Sequence, residues 1–176
     1  GQERVRGVGL ARVFSVKDWK LVRTIEHPGT VNGVDFSSDD EHLAVIGDYD
    51  ARIYRVSNWS MRRQWSLARD DSFFGDDPHI FVSVRFNADD SMLAVGASHG
   101  FVYLYDVASG RLIRRLNKTG QKTEIVEWSI DGRHLLVAGH GYSIDFYDVA
   151  KLRDPSIDND SMPFALRAPV TDGMEC

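Results

Sequence analysis

The stretch Gly96-Ala-Ser-His-Gly-Phe-Val-Tyr-Leu-Tyr-Asp-Val107 decides how this chain folds. Its first five residues fit G-x-S-x-G, the pattern that presents a nucleophilic serine, here Ser98, on a sharp strand-to-helix turn. That chemistry needs a helix directly after the turn. Phe101 to Val107 instead reads as a strand, rich in aromatic and branched residues. Ser98 is therefore expected in a strand-to-strand turn, where Gly100 supplies backbone angles that a tight turn requires.

The same stretch has relatives on both sides. Ala11-Arg-Val-Phe-Ser-Val16, Ala51-Arg-Ile-Tyr-Arg-Val56, Val102-Tyr-Leu-Tyr-Asp-Val107 and Ile144-Asp-Phe-Tyr-Asp-Val149 align, with steps of 40, 51 and 42 residues between their final valines. Upstream lies a second block, Val34-Asp-Phe-Ser-Ser-Asp-Asp-Glu-His-Leu-Ala-Val45, with counterparts at 84–95 and 126–137. The aromatic (Phe36, Phe86, Trp128) stands seven residues before the leucine (Leu43, Leu93, Leu135) each time. An alternating run, an Asp-Asp or Asp-Gly turn and a second apolar run make an antiparallel hairpin. A further turn after each valine leads into a fourth run, as in Leu21-Val-Arg-Thr-Ile25, Met61-Arg-Arg-Gln-Trp65 and Leu112-Ile-Arg-Arg-Leu116. No convincing helical period appears, so the class is all-β.

Four strands recurring every 40 to 51 residues mark a β-propeller blade. The lead-in Leu21-Val-Arg-Thr-Ile-Glu-His-Pro-Gly-Thr-Val-Asn-Gly-Val-Asp-Phe-Ser37 resembles that of WD-repeat proteins, and Tyr105-Asp106 and Tyr147-Asp148 stand where that family has Trp-Asp. The resemblance implies a partial propeller of four-stranded antiparallel blades, about three and a half WD-type repeats, over residues 11–152. Residues 1–10 form a lead-in and 153–176 an irregular tail. Two departures are plain: no repeat has a true Trp-Asp, and Glu26-His27 replaces Gly-His. In WD-repeat proteins the lead-in His bonds an Asp of the second turn, and His27 and Asp48 occupy the matching positions. Such a pair ties two loops together. His99 and Gly141 stand where Asp48 would be in the later blades, which are expected to lack the tie.

Composition bounds the rest. The 176 residues have 43% apolar and 27% charged content, ordinary for one globular domain, and a net charge of −5 that argues against nucleic-acid binding. The one cysteine permits no internal disulfide or thiolate metal site, which favours a reducing, cytoplasmic setting. No membrane span or signal peptide is visible. His134 and His140 bracket one strand, roughly 20 Å apart at about 3.3 Å per residue, too far to share an ion. No metal or cofactor is expected. Arg23, Arg63 and Arg114 share one position on the outer strands, where charge guards an edge and the stems cover apolar neighbours. Trp19 and Trp59 sit in equivalent turns and are expected to pack over a hairpin end.

These features point to a non-catalytic scaffold that binds protein partners through its loops. The rivals are an enzymatic propeller, a hydrolase or dehydrogenase to which this chain supplies some blades, and a tubulin-binding propeller. The last follows from Leu93–Val107, which resembles blades of echinoderm-type microtubule-associated proteins. Too few strands are present to close a ring, so completion by further sequence or by oligomerisation is expected. The 68–79 segment lengthens one inter-blade connection and carries Asp70, Asp71, Phe73, Phe74, Asp76 and Asp77. Loops on rigid scaffolds carry function, and two aromatics among acids resemble an anchor with a polar rim.

Overall fold

Each fixed-spacing block folds as a hairpin, and one turn chemistry explains the constant count. In the turn after Phe36, the Ser37 hydroxyl donates to Asp39 (2.6 Å) and the same carboxylate oxygen accepts the Glu41 N–H (2.8 Å). Asn87, Asp89 and Ser91 repeat this after Phe86, and Ser129, Asp131 and Arg133 after Trp128. Asp40, Asp90 and Gly132 take the left-handed position of each turn, with φ of 58°, 56° and 70°. The serine hydroxyls hold the Asp39, Asp89 and Asp131 carboxyls below the usual carboxylate range. One inserted residue would break every one of these bonds.

The structure is a computed structural model that describes residues 7–67, 80–117, 122–139, 143–154, 156–157 and 167–169. It contains four antiparallel sheets. The first is a two-stranded ribbon of β1 (Val8–Phe14) and β2 (Leu21–Pro28). The second orders β3 (Val31–Phe36), β4 (His42–Gly47), β5 (Asp50–Arg55) and β6 (Ser60–Ser66) consecutively. The third does the same with β7 (Phe81–Phe86), β8 (Met92–Ala97), β9 (Phe101–Asp106) and β10 (Leu112–Asn117). The fourth holds β11 (Thr123–Trp128), β12 (His134–Gly139), β13 (Ser143–Asp148) and β14 (Arg167–Pro169). These are the antiparallel blades of a partial propeller. The inner strands β3, β7 and β11 pack side by side.

Burial follows from that stacking. The second strands β4 and β8 lie between neighbouring sheets and are buried on both faces, which is why they read as continuous apolar runs. Three apolar clusters result, each joining adjacent sheets: Ala11 and Ile25 with Leu43, Val45 and Tyr54; Ile46 and Ile53 with Phe81, Val84 and Val95; Leu104 and Leu116 with Val126, Leu135 and Val137. Each buried Val, Leu, Ile or Phe among them contributes about 1.5–3 kcal/mol relative to exposure. Polar bonds fix the stagger of the sheets. Asp35 accepts the Phe86 N–H (2.7 Å), Asn32 donates to the Phe81 carbonyl (2.8 Å), and the Trp128 indole donates to the Arg85 carbonyl (3.1 Å). Burial pushes the Asp35 carboxyl up, against the pull of the Phe86 N–H.

Both ends differ from expectation. The ribbon begins at Val8, three residues before the anticipated Ala11. The region after 153 is not wholly irregular: Arg167–Pro169 returns to pair with β13 and supplies the fourth strand of the last sheet. A one-turn helix, α1 (Val149–Arg153), precedes it and is capped by the Asp148 carboxylate, which accepts the Ala150 N–H at 2.8 Å. Among the described residues no helix is long and apolar enough to cross a membrane.

Candidate functional site

A buried polar constellation lies where β2 ends beside the turn from β4 to β5. His27 is fully buried, and Gly47 is bare where its ring packs: a Cβ there would run into the His27 ring. The Nδ1 lies 3.0 Å from the Pro28 carbonyl and the Nε2 2.6 Å from Asp50. Burial holds the His27 pKa below its ordinary value, while the Asp50 charge opposes that shift. The other Asp50 oxygen accepts from Arg52 (Nε at 3.0 Å, Nη2 at 2.8 Å) and from Gln64 (3.0 Å).

The partner of His27 is thus Asp50, two residues beyond the Asp48 expected from the family pattern. Asp48 sits in the turn itself, where its carboxylate accepts the Thr30 N–H at 3.1 Å. Asp50 begins a strand and points inward. An open cleft of about 430 Å³ adjoins this end, lined by Gly7 to Leu10, Gly29 to Val31 and Asp48.

At the stations of Asp50, Arg52 and Gln64 the next sheet carries Phe101, Tyr103 and Arg115, the last two paired across β9 and β10. The Arg115 guanidinium lies 4.6 Å from the centre of the Phe101 ring, and the His99 ring packs on Phe101 with centroids 4.8 Å apart. Aromatic stacking replaces the ionic cluster.

Ser98 occupies the turn between β8 and β9, and no helix follows it. Its hydroxyl oxygen accepts the Ile80 N–H at 3.1 Å, a bond that ties the connection into β7, and Gly100 takes φ +92°. His99 lies 3.2 Å from the Tyr103 hydroxyl. Among the described residues, Asp39, Glu41 and His42 could bring three ligand atoms together. Asp39 is already engaged by Ser37 and Glu41 within its turn, so the group reads as hairpin chemistry. His134 opens β12, whereas His140 and Gly141 lie outside the described residues.

The aligned arginines divide. Arg63 donates to the Ala108 carbonyl of the next sheet, beside Trp65, whose indole donates to the Gly110 carbonyl at 2.8 Å. Arg114 is buried and donates to the carbonyls of Leu152 (3.0 Å), Ile157 (2.6 Å) and Asp154. Both clamp the next blade, a role the sequence reading missed because the receiving carbonyls carry no side-chain signature. Arg23 is exposed. Trp59 packs against the first cluster, while Trp19 stands in solvent.

Tyr105 and Tyr147, at the Trp positions of the family pattern, are buried. Tyr105 stacks on Trp65 at 4.5 Å, and burial pushes its phenol up to about 12. The loop residues Asp70, Asp71, Phe73, Phe74, Asp76 and Asp77 lie outside the described residues.

Comparison with known proteins agrees with this architecture. Residues 19–55 match the family model of the WD domain, G-beta repeat. The match runs from the outer strand of the ribbon to β5, so one sequence repeat links two sheets and holds both His27 and Asp50. The chain is 36% identical over 70 residues to echinoderm microtubule-associated protein-like 4 of Mus musculus, covering 38% of this chain and 7% of that protein. The Xenopus laevis protein of that name is 34% identical over 70 residues, 38% of this chain and 8% of the relative. The chain spans less than a tenth of the length of these relatives. Residues 19–55 carry a WD-type repeat, set within antiparallel sheets of the propeller-blade kind.

Proposed function

We propose that the chain is a non-catalytic protein-interaction scaffold whose WD-type blades present turns and loops to protein partners. The observation that carries this reading is the stacking of the sheets in one sense, which sets their hairpin turns side by side on a rigid frame. The groups that a hydrolase would recruit have structural partners: the Ser98 oxygen accepts from Ile80 and His27 is sealed against Asp50. The contact loop of this proposal is 68–79, with Phe73 and Phe74 as anchors and Asp70, Asp71, Asp76 and Asp77 as an acidic rim for a basic partner groove. The double substitution F73A/F74A is expected to weaken capture of partners while the β-sheet circular dichroism and thermal midpoint stay nearly unchanged. Early melting of that variant would instead place the pair in the core. Labelling of Ser98 by a serine-hydrolase probe would restore the enzymatic reading.

A second reading is favoured by the two relatives whose name includes microtubule association. On it the partner is tubulin and the setting cytoplasmic. Co-sedimentation with polymerised tubulin tests it; a chain left in the supernatant sinks it without touching the scaffold reading.

A further inference from the structure

The connection from the third to the fourth strand is where the sheets depart furthest from one another. It spans residues 56–59 in the second sheet and 107–111 in the third, but 149–166 in the fourth, where α1 stands in place of the tight turn. That departure changes what lies against the preceding outer strand. Between the second and third sheets the tight turn sits directly on β6: Arg63 donates to the Ala108 carbonyl, Trp65 donates to the Gly110 carbonyl, and a Cβ on Gly110 would press on the Arg63 side chain. Between the third and fourth sheets Arg114 reaches instead to the carbonyls of Leu152, Asp154 and Ile157, and a cleft of about 360 Å³ stays open between α1 and the start of β10.

The lining of this cleft runs against the charge of the chain. Its apolar wall is the half-exposed Leu112 with Ile113, and the buried Leu152 lies behind them. Its charged groups are Arg111, Arg114 and Arg153 against one acid, Asp106, in a chain whose net charge is −5. Arg114 is committed to its three carbonyls. Arg111 is exposed, and its guanidinium makes no bond among the described residues. Arg153 gives one nitrogen to the Ser91 hydroxyl (2.5 Å), with Asp89 at 3.8 Å, which fixes the side chain and leaves its other N–H groups without a partner among the described residues. Asp106 stands at the end of the cleft. The Ser109 hydroxyl (2.5 Å) and N–H (2.7 Å) hold its carboxyl below the usual carboxylate range, and the charges of Arg153 and Arg111 act in the same direction. The ionised Asp106 offsets one of these two free cations, which suits a single negative charge between them; a doubly charged phosphate would meet its repulsion.

We propose that this cleft is a docking site for an extended segment of a partner protein that carries a carboxylate beside an aliphatic side chain. The carboxylate pairs with Arg111 and Arg153, whose planar forks of donors match its two oxygens. The aliphatic side chain lies on Leu112 and Ile113. The inference rests on the scaffold reading and gives it a second surface of opposite demand: the 68–79 loop is acidic and calls for a basic partner, whereas this cleft calls for an acidic one.

The probe is a short fluorescent peptide of alternating Glu and Leu, titrated with the 176-residue protein. It is expected to bind saturably, and less tightly as ionic strength rises. Its analogue of alternating Gln and Leu should bind about tenfold more weakly, the size of one lost charge pair. R111E should weaken binding of the Glu peptide by about tenfold or more, and R111K by less, because the charge remains while the fork is lost. L112S should weaken the Glu and Gln peptides alike. The Arg111 side chain is exposed and bonds nothing described, so the thermal midpoint of R111E should match the parent. Absence of saturable binding, equal binding of the Gln analogue, or unchanged binding by R111E overturns the proposal. Displacement of the probe by inorganic phosphate as readily as by unlabelled Glu peptide overturns it too, since the site would then be one for phosphate. F73A/F74A should leave peptide binding unchanged. A peptide released by F73A/F74A and not by R111E is held by the loop, which overturns this site and leaves the scaffold reading standing.

Discussion

The sheets 31–66 and 81–117 meet the same structural demand with opposite chemistry. Where the third strand begins, the earlier sheet sets Asp50, Arg52 and Gln64 against the buried His27, whereas the later one stacks Phe101, Tyr103 and Arg115. The backbone registers are equivalent, Arg52 facing Gln64 and Tyr103 facing Arg115. The fold therefore specifies a place that must be filled and tied, and leaves the means open. The ionic solution carries a desolvation cost and a titratable group. The aromatic one combines apolar burial with a cation held over a ring.

Breaking the ionic version should do the most damage. D50A leaves the buried His27 facing an unfilled position and also strips Arg52 and Gln64 of their acceptor, a loss of about 1–3 kcal/mol for the orphaned ring alone. A chemical denaturation series should show it, with D48A as the contrast: Asp48 makes one exposed bond, and its loss should cost no more than about 1 kcal/mol. If D48A were the worse of the two, the assignment of Asp50 as the partner would fail.

The aromatic side comes next. Phe101 is only half-buried, so F101A should cost roughly 1–2 kcal/mol from lost burial and the Arg115 contact, by the same denaturation measurement. F101L keeps most of the apolar area and loses the ring face, so the difference between the two variants isolates the cation–π share.

The finest distinction is in pH. The folded-state pKa of His27 lies below its ordinary value, about 6.5, so between those two values the unfolded chain binds more protons than the folded one. Stability from this group is complete above about pH 6.5 and is lost as pH falls through the folded pKa. The thermal midpoint of the parent should therefore drop between pH 7 and pH 5 more steeply than that of H27Q. Identical slopes would mean that the buried imidazole does not titrate with folding.

The sequence carried what depends on local spacing. The seven-residue interval from Phe36 to Leu43 encodes the Ser37–Asp39–Glu41 turn, and the run from Phe101 to Val107 excludes the helix that Ser98 would need as a nucleophile. It did not distinguish Asp48 from Asp50, because the two stand two residues apart and only the point where β5 begins decides which faces inward. Nor did it reveal β14, whose Arg167-Ala-Pro169 has no alternation and whose pairing partner lies more than twenty residues upstream. The clamp of Arg114 on the carbonyls around 152–157 was equally silent, since carbonyls are the same in every residue. What escaped is what one part of the chain does to a distant part.

The three apolar clusters, each shared by two adjacent sheets, make the molecule a one-dimensional array of coupled units. In such an array the free energy of opening depends on how many neighbours a unit must release. The sheets 31–66 and 81–117 each have two, so their amides are the last to exchange with solvent, while the ribbon and the fourth sheet fray first. Unfolding then starts at the margins and runs inward, and the slowest-exchanging amide protons gather on β4 and β8.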